Sequence, residues 1–178
     1  MDSVEHCACF RRNRRLGLLE RCYEPDVMEA FRGDHRYFMI GISNNYHQLD
    51  QVREGVRKPD EREAFLLEQE KRECEIFGRL ADLGMRPLVG TDAGCGYTFF
   101  DETWLEMELL CRRCGLTPEK AIHAATLEGA RALGYGDFLG RLAPGYEADF
   151  IAVAQNPIQD IEAFRHIKHV VCRGKIIE

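Results

Sequence analysis

No stretch of this sequence approaches the roughly 20 consecutive apolar residues of a membrane span, so no membrane association is expected. The start, Met1-Asp2-Ser3-Val4-Glu5-His6, has neither the basic opening nor the apolar centre of a secretory leader. The expected location is therefore cytoplasmic. Basic charge is also scarce. Lys and Arg number 24 against 30 Asp and Glu, a formal net charge of −6. A nucleic-acid partner, whose phosphates need a basic surface, is not expected. The one basic cluster, Arg11, Arg12, Arg14 and Arg15, reads as a solvated loop or helix face. Internal repeats and low-complexity segments are absent.

Without a leader, the eight cysteines read as mostly reduced thiols rather than a disulfide framework. Cys7-Ala8-Cys9 and Cys111-Arg112-Arg113-Cys114 could together offer four thiolates to a structural zinc. The two pairs are far apart in sequence, and Cys111 and Cys114 share one helix face, whereas zinc pairs usually sit on knuckles or turns. Ordinary buried thiols are the plainer reading.

What the chain does have is a regular alternation of elements. At 178 residues it can build one sizeable core, or a core and a small annex. Asp2 to His6 is a strand-like stub. Leu16 to Cys22 is helix-compatible, and Asp26 to Arg32 forms a helical turn or two. Tyr37 to Ile42 is aromatic and β-branched, a buried strand. Residues 43–58 read as polar loop. Asp60 to Leu83 carries apolar residues at helical spacing and acidic residues at its N-terminal end, with Gly84 as its stop. A short strand then runs to Asp92 in Leu88-Val89-Gly90-Thr91-Asp92-Ala93-Gly94. Residues 103–114 form a helix, and Thr117-Pro118-Glu119 opens another that runs to Leu133. Strand, loop, helix and strand in repetition are the grammar of a parallel sheet or barrel. From about residue 136 the signals turn antiparallel. Residues 139–142 and 149–153 read as two strands joined by a turn, and 170–177 as a terminal hairpin.

Asp92 is the leading candidate for chemistry, a carboxylate at the tip of a strand with small residues around it. Its plainer role is a turn or helix cap. A free aspartate, with a pKa of about 3.9, cannot deprotonate bulk water alone; the mismatch is about 12 units, or roughly 16 kcal/mol.

Four stretches carry a resemblance: Gly90-Thr91-Asp92-Ala93-Gly94; Gly115 to Ala121 with Ala125-Thr126 and Ala130; Leu139 to Asp149; and Val170 to Lys175. In this order and spacing they resemble the C-terminal part of a metal-dependent amidohydrolase, most similar to the imidazolonepropionase-like and X-Pro dipeptidase-like group. The resemblance covers roughly residues 80 to 178, and the stub ending in His6 resembles the family's strand with a metal-binding histidine. It implies an α/β fold, the C-terminal part (about strands 6–8) of a TIM-type (β/α)8 barrel plus a small flanking β-sandwich segment. Residues 1–135 would be the partial barrel and 136–178 the β-sandwich annex. The implied cofactor is Zn2+, as one or two divalent metals, with His6 and Asp92 as ligands and Asp92 as general base. The implied substrate is a small molecule or dipeptide cleaved at a C–N bond.

The sequence departs from the family pattern. It has no His-x-His pair, and the family's first five strands have no counterpart. Cys7 stands where relatives commonly have glycine, and Ser43-Asn44-Asn45-Tyr46 differs from the usual segment. His166-Ile167-Lys168-His169 lies in the annex and is no substitute. A catalytic zinc takes three protein ligands, and this chain offers two. Two readings follow: the C-terminal fragment of a metal-dependent hydrolase, or a catalytically inactive fragment acting as scaffold or subunit. Unpaired strand edges lead to an expectation of poor solubility, a homo-oligomer or a complementing chain, or partial order before residue 60.

Overall fold

The computed structural model describes residues 3–6, 9–33, 35–44, 46–95 and 97–177. Strand β1 (Ser3–Val4) is followed by a hairpin of β2 (Cys9–Asn13) and β3 (Leu18–Cys22), then helix α1 (Pro25–Glu29) and β4 (Tyr37–Phe38). A 3-10 turn at His47–Leu49 leads into the short α2 (Asp50–Arg53), then the long α3 (Glu61–Asp82) and β5 (Arg86–Pro87). Three helices follow: α4 (Thr103–Cys114), α5 (Pro118–Ala125) and α6 (Leu127–Ala132). The chain ends in β6 (Phe150–Val153), a 3-10 turn at Ile161–Arg165, β7 (Ile167–Cys172) and β8 (Lys175–Ile176). Among the described residues, β1, β4 and β5 form a parallel sheet with β4 in the centre, and β6, β7 and β8 form an antiparallel one.

Helix α3 forms where its caps dictate. The Asp60 carboxylate accepts the Glu63 N–H at 2.8 Å, and the Glu63 carboxylate accepts the Asp60 N–H at 3.0 Å. This reciprocal box satisfies two donors that the first turn leaves free, a contribution of about 1 kcal/mol. Gly84, at φ 83°, turns the chain out of the helix where a side chain would be strained. Between these ends Ile76, Phe77 and Leu80 face the sheet. They pack with Phe38, Ile40, Ile42, Leu105, Leu109 and Leu110 into the main core. The Phe38 and Phe77 rings meet edge to face at 5.1 Å.

Four sequence expectations are corrected. Leu16 to Cys22 is not helical: Leu18–Cys22 pairs antiparallel with Cys9–Asn13. Gly17 at φ 68° makes the turn, and the Asn13 side chain accepts the Arg15 and Leu16 amides at 3.2 and 3.1 Å. The hairpin is tied to α3 by polar contacts, Arg21 N–H to Gln69 at 2.7 Å and the ion pairs Arg21–Glu73 and Arg72–Glu20. Pairing and these ties override a weak helical propensity. The basic cluster thus lies on β2 and its turn, with Arg11 paired to Glu24 and Arg15 to Glu61.

The polar stretch after β4 holds two short helical turns rather than loop alone. The helix from Thr117 is interrupted at Thr126, whose φ −121° and ψ −86° end α5 while its hydroxyl donates to the Ile122 carbonyl at 2.7 Å. Residues 139–142 form no strand. Gly140 sits so close to α6 that a Cβ there would lie 2.8 Å from Leu127 Cα, so the segment folds onto that helix instead of pairing. The antiparallel sheet is built by β6 with β7 and β8.

Candidate functional site

His6 and Asp92 follow β1 and β5, the two outer strands of the parallel sheet. Although β4 lies between those strands, His6 Nε2 comes within 3.7 Å of Asp92 Oδ2. That is too long for a hydrogen bond and within reach of an ion pair. Two donors at zinc bond lengths around a tetrahedral ion stand roughly 3.4 Å apart. Their side chains are 37% and 34% exposed, open to water and to a ligand. A nitrogen and a carboxylate oxygen suit a divalent cation. Among the described residues no group of three His, Cys, Asp or Glu side chains is placed to hold a metal. The pair therefore fits such an ion in kind, as two donors of the types that it takes.

Both residues are backbone exceptions. His6 has φ 57° and Asp92 φ 53°, and Tyr97 in the loop after Asp92 has φ 63°. These are three of the four non-glycine residues with positive φ among those described. Left-handed backbone costs side-chain-bearing residues about 1–2 kcal/mol each and gathers at functional sites. The Asp92 loop is held in this form by local bonds. Cys95 N–H donates to the Asp92 carbonyl at 3.1 Å, and Gly94 N–H to the Thr98 carbonyl at 3.1 Å. The Thr98 hydroxyl donates to the Asn44 side-chain oxygen at 2.9 Å, joining this loop to the turn after β4.

That turn rests on a residue that the motifs did not reveal. Glu106, from α4, is 1% exposed, and its carboxylate accepts the N–H groups of Ile42 at 2.9 Å and Ser43 at 2.7 Å. Burial pushes its pKa up, against these hydrogen bonds. The available signal was its position, a charge inside the apolar run Trp104-Leu105-Glu106-Met107. The strand expected to run to Asp92 ends at Pro87; beyond it, Gly90 lets the chain pass close to Met39, the residue after β4, since a Cβ there would fall 1.9 Å from Met39 Sδ.

His47 was also unassigned by sequence. Its Nδ1 lies 3.0 Å from Asp50 and its Nε2 2.8 Å from Glu102. Burial lowers its pKa, but the two carboxylate hydrogen bonds outweigh that and raise it. It fastens the 3-10 turn to the loop before α4.

The other candidates fall outside the pair. Tyr46 lies under the guanidinium groups of Arg53 and Arg113, at 4.2 and 5.2 Å, a packed role. Tyr97 is 56% exposed in the Asp92 loop. His123 is exposed on α5, and His169 lies on β7. Asp149 accepts the Arg173 N–H at 2.6 Å, a structural bond in the annex. The four-cysteine zinc arrangement does not form, because Cys114 is bonded to Cys74; Cys7 lies outside the described residues. A hollow of about 970 Å³ lies between α4, α5 and the annex sheet. Trp104, Met107, Ile122, Phe150 and Phe164 line it, and neither His6 nor Asp92 does. Its apolar walls suit packing rather than hydrolysis.

A parallel sheet with helices against it, and a histidine and an aspartate converging beyond its strands, define a chain of TIM-barrel-type α/β fold. The model of the amidohydrolase family matches residues 19–177, and the chain belongs to that family, in its imidazolonepropionase-like and dipeptidase-like group. It is 42% identical over 83 residues to imidazolonepropionase of Deinococcus deserti, covering 47% of this chain and 21% of that protein. It is 29% identical over 164 residues to imidazolonepropionase of Geobacillus thermodenitrificans, covering 85% of this chain and 38% of that one. A solved Xaa-Pro dipeptidase with bound methionine is 25% identical, with a TM-score of 0.74 over 100% of this chain and 40% of that chain. The chain thus spans between about a fifth and two fifths of the length of these relatives. Among the described residues, no helix is long and apolar enough to cross a membrane.

Proposed function

We propose that this chain is the C-terminal part of a metal-dependent hydrolase acting on C–N bonds of a cyclic amide, an amidine or a dipeptide. Strands β1, β4 and β5 correspond to strands 6–8 of the barrel, residues 1–135 to its partial barrel, and residues 136–178 to the flanking β-sandwich segment. The observation that carries this reading is the convergence of His6 Nε2 and Asp92 Oδ2 at 3.7 Å from two separate strands, both in left-handed backbone.

His6 and Asp92 would hold Zn2+, or another divalent ion, as two of its ligands. Such an ion supplies the acidity that brings water from a pKa of about 15.7 to near 7. The proton gap to a free carboxylate, at about 3.9, then falls to about 3 units, roughly 4 kcal/mol. Asp92 takes the proton of the attacking water and returns it to the leaving nitrogen. His6 orients from the opposite strand, and the Thr98–Asn44 bond keeps the Asp92 loop in place. The further ligands come from a complementing chain or segment beside β1 and β5, the outer strands of the parallel sheet among the described residues.

The second reading is a catalytically inactive fragment that acts as scaffold or subunit. It is favoured by the two-ligand donor set and by the share of its relatives that the chain spans. Elemental analysis and a panel of X-Pro dipeptides and cyclic amides separate the two. Near-stoichiometric zinc that Asp92→Asn loses, with turnover that disappears in the same variant, supports the hydrolase. Protein without metal or turnover, alone and after co-expression with the N-terminal barrel strands of a relative, supports the scaffold.

A further inference from the structure

Cys74, in the middle of α3, and Cys114, the last residue of α4, are disulfide-bonded with Cα atoms 4.7 Å apart. That spacing lies in the ordinary range for a disulfide. The His6–Asp92 chemistry makes no use of the bond. Both cysteines are half-buried and line an open hollow of about 730 Å³ with Arg53, Lys71, Arg113, Glu70 and Glu75. Three cations and two carboxylates line it, with Lys71 paired to Glu68, so the hollow suits a small, polar, charged visitor. The thiolate is both the attacking and the leaving species in thiol–disulfide exchange, and the open hollow gives it access to a partner. Arg53 and Arg113 both pair with Glu70, one turn before Cys74 on α3. The sulfur bridge and this ion cluster fasten α3 to α4 side by side.

We propose that Cys74–Cys114 is a reversible redox site, closed and opened by a charged low-molecular-weight thiol–disulfide couple admitted through this hollow. In closing, one protein thiolate attacks the small disulfide, forms a mixed disulfide and releases one small thiolate. The second protein thiolate then attacks the protein sulfur of that bond and releases the other. Two protein thiols are oxidised, one small disulfide is reduced to two thiols, and two protons leave the protein. Opening is the reverse, with two small thiols consumed. Closing anchors the end of α4, the helix whose Glu106 carries the Ile42 and Ser43 amides. The turn that Asn44 joins to the Asp92 loop is thereby steadied.

The test equilibrates the full chain, without denaturant, in mixtures of oxidised and reduced glutathione, followed by alkylation and peptide mapping. The expected result is loss of both labels, at Cys74 and Cys114, as the mixture becomes oxidising, and their return on reversal. Cys111→Ser behaves like the wild type. Cys74→Ser leaves Cys114 either labelled or as a single glutathione adduct. Amide exchange at Ile42 and Ser43 is slower in the closed form. A bond that survives reducing mixtures until denaturant is added overturns the proposal, as do thiols that persist in oxidising mixtures or losses that map to other cysteines.

Discussion

The Glu106 carboxylate accepts the Ser43 N–H at 2.7 Å, with the side chain almost wholly out of solvent. A buried acceptor holding two amides is expensive to remove, because both donors are then left without partners. Glu106→Ala is expected to lower unfolding free energy by about 2–4 kcal/mol. Glu106→Gln, which keeps one oxygen, loses less. Denaturant titration with a constant m-value checks both.

His47 makes stability depend on pH. Its pKa is raised in the fold, so the protonated form is favoured by Asp50 and Glu102. The contribution is fully present below the unfolded value of about 6.5 and is lost as pH rises through the raised value. Thermal midpoints are expected to fall across that window in the wild type, and to fall less in His47→Gln. Equal slopes in the two proteins would contradict the ion-pair role.

The left-handed backbone at His6 predicts a trade between stability and binding. His6→Gly relieves strain and is expected to leave stability unchanged or raise it by about 1 kcal/mol, while removing one of the two proposed metal ligands. A variant that loses stability instead places His6 in an ordinary structural role. Thermal melts read the outcome.

Gly90 and Met39 set the approach of the segments that follow β5 and β4. Gly90→Ala puts a methyl group into the Met39 side chain and is expected to cost about 1–3 kcal/mol. Met39→Ala in the same chain opens space and restores part of the loss, a coupling that a double-mutant cycle measures.

The sequence was readable where local chemistry is decisive. Asp60 and Gly84 bound α3 because a cap and a left-handed stop are properties of a few neighbouring residues. The turn that holds Asp92 was legible from the small residues around it, and the approach of Asp92 to His6 depends on β1 and β5 pairing with the same central strand. Leu18–Cys22 was misread because its partners are β2 and α3, which no local pattern reports. The break at Thr126 and the fold of Gly140 onto α6 likewise depend on contacts outside the local window. Glu106 escaped for the same reason, since its meaning lies in two amides 63 and 64 residues away.

The most direct test is a zinc titration of the purified chain followed by NMR of the histidine imidazoles. The account predicts that the His6 resonances shift first, while those of His123, His166 and His169 stay in place, and that Asp92→Asn abolishes the shift. His6 resonances that never respond, or that respond equally in Asp92→Asn, would contradict the assignment of these two residues to one metal.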